Sequence, residues 1–165
     1  MMLESEFYHS HVKPHLEQWG DHNRVENSAE SGTPDISYAI AGVQGWLELK
    51  VIRDGLLSFE KFQLAWLKKR WRHAKGNLWV FATDGEALYV YSVDRIIATP
   101  RHVYRRWLKM PIALIEPNVH GPTKPWPWGK VLSTLTPRLT LASPPYDPEF
   151  GNLSRVLQQT DSLES

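Results

Sequence analysis

Proline placement divides this chain into two parts that cannot share one kind of structure. Nine of the twelve prolines follow Met110, at positions 111, 117, 122, 125, 127, 137, 144, 145 and 148. Proline lacks an N–H and has a fixed φ, so neither a long helix nor a central strand is expected there. Before Met110 stand only Pro14, Pro34 and Pro100. We therefore expect a folded core over residues 1–109. Residues 110–165 should form a Pro/Trp-rich arm, extended or partly disordered, with one short helix near Asn152–Thr160. A total of 165 residues suits a single domain with such an appendage.

The chain has no cysteine. That excludes disulfides, thiolate metal sites and a cysteine nucleophile, and it makes structural zinc unexpected. No apolar run approaches the ~18 residues of a membrane helix. The opening MMLESEFYHS lacks a signal peptide's apolar stretch. The expected protein is soluble and cytoplasmic, with no membrane partner. The formal charge of +1 conceals a segregation: residues 1–60 carry −6, residues 61–109 carry +8, and the remainder carries −1. An acidic block followed by a basic one suggests a carboxylate-rich site beside a surface for polyanions.

Leu3, Phe7, Val12, Leu16 and Trp19 have loose helical spacing, which predicts a helix from near Glu4, kinked or restarted at Pro14. Arg24–Ser28 suggests a short strand, and Ser31-Gly32-Thr33-Pro34 a turn. Asp35–Ile40 and Gly45–Ile52 form adjacent strands or a hairpin. In the second of these, Trp46, Glu48 and Lys50 share one face while Leu47, Leu49 and Val51 take the other. Ser58 is expected to cap a helix from Phe59 to about His73. Leu78–Thr83 and Ala87–Ser92 flank an Asp84-Gly85 hairpin turn. Thr99-Pro100 is expected to open a basic helix reaching Lys109. The core thus reads αββαββα.

Pro34-Asp35, followed after twelve residues by Glu48-Leu49-Lys50, carries the chemistry. If the two strands pair, two carboxylates and an ammonium converge at one point of the sheet. Close carboxylates repel unless a cation neutralises them, and hard oxygen ligands suit Mg²⁺ or Mn²⁺. A lysine beside such a metal can position water or stabilise charge growing on a phosphate oxygen. His11 and His15 have the i,i+4 spacing of zinc ligands, but no suitably spaced acid follows, so surface or phosphate-contacting roles are expected.

This arrangement resembles the PD-(D/E)xK nuclease superfamily. The segment Gly55-Leu56-Leu57-Ser58…Gln63-Leu64-Ala65-Trp66 is similar to the helix of its VRR-Nuc branch, which is related to Holliday junction resolvases. The resemblance spans roughly residues 4–92, and Glu26-Asn27 with Ser31-Gly32-Thr33 looks like small phage-encoded members, which would place the protein in a host cytoplasm. It implies a restriction-endonuclease-like α/β fold, with a central mixed sheet flanked by helices. It implies a metal-dependent endonuclease acting on branched DNA, with a duplex-cutting nuclease or a non-catalytic DNA-binding module as alternatives. Asp35, Glu48 and the Leu49 carbonyl would hold the metal, and Lys50 would orient the attacking water. Gln63 would reach that water or Lys50. An acid from the first helix would complete the site; Glu6 is expected, with Glu4, Glu17 and Glu26 as rivals. Lys68, Lys69, Arg70 and Arg72 on one helix, and Arg101, Arg105, Arg106 and Lys109 on another, would contact phosphates irrespective of sequence. Two coordinated cuts call for a homodimer. Trp126, Trp128, Leu132, Leu135, Leu139 and Leu141 of the arm are expected either to bury against the partner or to fold back on their own core.

Overall fold

The computed structural model describes residues 1–25, 32–74, 76–104 and 106–137. It is a mixed α/β structure in which a six-stranded mixed sheet is flanked by helices, the fold class expected. The first helical rod runs through α1 (Glu4–Phe7), a π-helical stretch (Tyr8–Val12) and α2 (Lys13–Trp19). Pro14 does not break it. In the π stretch the Lys13 N–H bonds the Tyr8 carbonyl, five residues back, and Pro14 then sits in the first turn of α2, where its missing N–H is harmless.

Strand β1 (Asp21–Arg24) pairs antiparallel with β2 (Ile36–Ile40), and β2 pairs antiparallel with β3 (Val43–Val51). The β2–β3 connection is a two-residue turn, with Ala41 at φ 50° and Gly42 at φ 77°. Positive φ at both positions matches the right-handed twist of the strands it joins. The strand expected at Arg24–Ser28 begins earlier, and residues 26–31 lie outside those described. β5 (Leu78–Thr83) lies parallel to β3, and β6 (Leu88–Ser92) forms the expected hairpin with it.

Two expected helices differ. Ser58 and Phe59 belong to β4 (Leu56–Glu60), and α3 begins only at Lys61, ending at Ala74. Leu57 and Phe59 are both fully buried, and this period of two pairs them with β8 (Trp107–Pro111). The Gln63 side chain, rather than Ser58, caps the helix by accepting the Glu60 N–H at 3.0 Å. Thr99 ends a helix instead of opening one. It follows α4 (Val93–Ala98), its hydroxyl donates to the Arg95 carbonyl, and its extended backbone is the conformation a following proline favours. The residues expected to be a basic helix form a hairpin of β7 (His102–Tyr104) and β8, because Leu108 and Met110 alternate into the core. β4, β8 and β7 make a second, three-stranded sheet.

The arm expected from residue 110 is not extended over its described part. β8 runs through Pro111, and β9 (Val119–Gly121) adds to the main sheet beside β6. α5 (Trp128–Leu135) then packs Val131, Leu132 and Leu135 into the same apolar cluster as Phe7, Leu16 and Ile36. Trp126 joins that cluster and donates its indole N–H to the Glu86 carbonyl at 2.7 Å. Prolines punctuate this segment without preventing burial, since β9 lies at a sheet edge and α5 starts just after Pro127. Of the side chains expected either to meet a partner or to fold back, Trp126, Leu132 and Leu135 are buried within their own chain, and Trp128 is half-buried. The expected helix near Asn152–Thr160, and Leu139 and Leu141, lie outside the described residues.

The main sheet separates two cores. The first helical rod and α5 cover one face, over Ile36, Leu47, Leu49 and Phe81. α3, α4 and the second sheet cover the other, over Val80, Ala82 and Tyr91.

Candidate active site

The β2–β3 register builds the site. The ladder ends with Ile36 paired to Leu47, and Asp35, in the bend just before β2, lies close enough to Glu48 for its charge to act on it. The Asp35 carboxylate also accepts the Leu49 backbone N–H at 2.8 Å, tying the turn before β2 to β3. Gly32 makes this turn possible. Its φ is +96°, and a Cβ there would lie 2.4 Å from the Phe62 carbonyl oxygen, so the loop rests directly on the start of α3.

Glu48 and Lys50 project from the sheet face that α3 covers, and both are almost completely buried. Lys50 Nζ lies 2.7 Å from Glu48 Oε1, and Gln63 Nε2 donates to the same oxygen at 2.8 Å. Glu48 Oε2 is buried and, among the described residues, has no hydrogen-bond partner. An unpaired carboxylate oxygen in such a place is costly. Burial pushes the Glu48 carboxyl up to about 8, Asp35 and Glu4 add to the rise, and Lys50 opposes it. Burial acts to lower Lys50, but Glu48, Glu4 and Asp35 outweigh it and hold the ammonium above its ordinary range.

Among the expected residues, the fold brings Asp35, Glu48, Lys50 and Gln63 together around β3. Glu6 is not among them. Glu4 is the first-helix acid at the site, with Oε1 3.7 Å from Lys50 Nζ, while Glu6 is solvent-exposed and its charge is felt by His11. The two are separated by half a helical turn, so only one can face β3. His11 packs against Trp126 at 4.8 Å and His15 stacks on Trp128 at 4.3 Å, so both lie in the seam between the first helical rod and the segment ending in α5. Burial lowers the pKa of each. Among the described residues no three His, Asp or Glu side chains form a metal-holding group.

Lys69, Arg70 and Arg72 are exposed on α3, and Lys68 is half-buried beside them. Burial, with the charges of Arg101 and Arg72, lowers the Lys68 pKa, as expected in a concentrated positive field. Arg70 lies over the Trp46 and Trp66 rings at 6.0 and 5.7 Å. Arg106 sits in the β7–β8 turn against Trp107, and Arg105 lies outside the described residues. The Trp46–Arg70 contact was not legible in the sequence, because it joins a strand to a helix 24 positions away.

The structure thus defines a mixed α/β protein with two neighbouring carboxylates and a buried lysine on one sheet face. No family model matches the sequence, and no curated protein matches it. Among solved structures it is similar to the Holliday junction resolvase Hjc of Archaeoglobus fulgidus, with 13% identity and a TM-score of 0.49 over 68% of this chain and 86% of that one. A likeness of that size leaves the functional reading to rest on the side chains.

Proposed function

We propose that this chain is a metal-dependent endonuclease that hydrolyses DNA phosphodiester bonds, with branched DNA its favoured substrate. The observation that carries the proposal is the buried Glu48 Oε2, unpartnered among the described residues, near Asp35 and beside Lys50. A carboxylate oxygen left without a donor, next to a second carboxylate, suits a hard divalent cation. Asp35, Glu48 and the Leu49 carbonyl would hold Mg²⁺ or Mn²⁺. Such a cation polarises a phosphoryl oxygen and lowers the pKa of bound water. Gln63 and Lys50 both bind Glu48 Oε1, which orients the carboxyl and leaves Oε2 open. Lys50 holds its proton, so its ammonium can fix an attacking water or stabilise charge on a phosphate oxygen. Glu4 keeps that ammonium in place from the other side. The exposed cations of α3 supply contacts to the phosphate backbone that do not depend on sequence. The branched substrate and a homodimer that would make paired cuts follow from the resemblance of the sequence to resolvase-like nucleases.

The test is a cleavage panel with the purified full chain on a four-way junction and a linear duplex of equal length. It should be run in Mg²⁺, in Mn²⁺ and in EDTA. Cleavage is expected with either metal, abolished by EDTA and reduced about 10²- to 10³-fold by Lys50→Ala. Intact DNA under every condition, or cleavage unchanged in Lys50→Ala, would overturn the proposal.

A further inference from the structure

A groove of about 420 Å³ opens on the same sheet face as the two acids, next to them. Its floor is the outer part of the main sheet: Asp21 and Asn23 of β1, Ser37 of β2, and Gln44 and Trp46 of β3. Its wall is α3, which contributes Arg70. Period-two alternation places these floor residues on the side of Asp35 and Glu48. Asn23, Ser37 and Trp46 form one row across three strands, and Asp35 and Glu48 are each two residues further along. That step is about 7 Å, on the order of one nucleotide of extended backbone.

The helices do not cover this corner. In β2 the burial alternates, with Ile36, Tyr38 and Ile40 buried in the apolar core and Ser37 and Ala39 half-exposed to the groove. Asn23 and Gln44 are exposed. Among the described residues, the Asn23, Ser37 and Gln44 side chains have no hydrogen-bond partner. Neutral polar side chains, the Trp46 ring, the Arg70 guanidinium and the Asp21 carboxylate are thus among the groups lining a cavity within the size range of ligand sites, ~300–1,000 Å³.

We infer that this groove binds the bases of a single nucleic-acid strand adjoining the scissile phosphate. Asp21 on the floor repels phosphate, so the backbone runs along the rim where Arg70 stands. Amide side chains can both donate to and accept from base edges. Half-buried Trp46, packed on Trp66 at 5.4 Å, holds Arg70 over its ring at 6.0 Å, and together they give a base an aromatic and guanidinium surface to stack against. The inference rests on the nuclease reading only for the adjoining phosphate; the groove itself can be tested without cleavage.

The experiment measures fluorescence anisotropy of the full chain with two labelled ten-nucleotide single strands in EDTA. One has mixed sequence and the other has the same backbone with abasic central positions. The native chain is expected to bind the mixed strand about tenfold more tightly. Asn23→Ala with Gln44→Ala should remove most of that preference while leaving abasic affinity in place. Ser37→Tyr, which fills the floor, should remove it as well, and thermal melts would establish that each variant folds. Equal affinity of the native chain for both strands overturns the inference. So does an equal loss on both strands in the variants. Base-dependent binding without cleavage supports the groove and defeats the nuclease reading, whereas cleavage with base-blind binding does the reverse.

Discussion

Glu48→Gln should stabilise the metal-free protein, increasingly so as pH rises. The native carboxyl is fully buried and its pKa is pushed up from 4.5 to about 8, chiefly by desolvation. In the unfolded chain it loses its proton near its ordinary value. Between those limits the folded state therefore binds more protons than the unfolded state, and stability falls with rising pH. The limiting slope is about 1.4 kcal/mol per pH unit, so the loss from pH 5.5 to 7.5 approaches about 3 kcal/mol. A glutamine of the same shape has no such titration, and its amide oxygen can still accept from Lys50 and Gln63. Urea unfolding of both proteins in EDTA at half-unit pH steps gives the comparison. The two stability curves should diverge between pH 5 and 8, with the variant on top. Mg²⁺ should then reverse the order near pH 7.5. A cation held by the ionised Glu48 stabilises the native protein by about 2.7 kcal/mol at a hundred times its dissociation constant, and the variant should gain far less. Parallel pH curves in EDTA would refute the claim that burial holds the proton on Glu48. Equal Mg²⁺ stabilisation of both proteins would refute the claim that Glu48 is a ligand.

Three further outcomes are expected. Glu4→Gln should slow DNA cleavage more than Glu6→Gln, measured as initial rates at saturating metal; the reverse order would restore the acid expected from the sequence. Gly32→Ala should lower stability by roughly 1–3 kcal/mol in urea unfolding, because a Cβ at φ +96° meets the Phe62 carbonyl; a change below about 0.5 kcal/mol would mean the loop can withdraw from α3. A chain ending at Met110 should show no cooperative thermal transition by circular dichroism, since it lacks β9, α5 and buried Trp126. A sharp transition near that of the full chain would mean the first 110 residues fold alone.

What the sequence determined by itself was local. Alternation over Gly45–Val51 puts Glu48 and Lys50 on one face whatever surrounds them, because successive strand side chains point to opposite sides. The Asp84-Gly85 turn was legible because its backbone needs are met by few residue types, whereas the Ala41-Gly42 turn places an alanine at φ 50°, which its residue type does not announce. Even there, capping signals misled: Ser58 and Phe59 read as the cap and start of a helix, and Thr99-Pro100 as the opening of a basic one. The strand character of both segments comes from pairing β4 with β8, which brings together residues about fifty positions apart. The tertiary structure alone decided which helix acid reaches Lys50, since the rotation of the first helical rod over β3 separates Glu4 from Glu6. It alone left Glu48 Oε2 without a partner among the described residues, since burial there depends on α3 closing over the strand. It also drew Trp126 and α5 into the core despite the prolines around them. Those prolines restrict the backbone of the segment, but the apolar area available on the first helical rod and β6 determines where its side chains are buried.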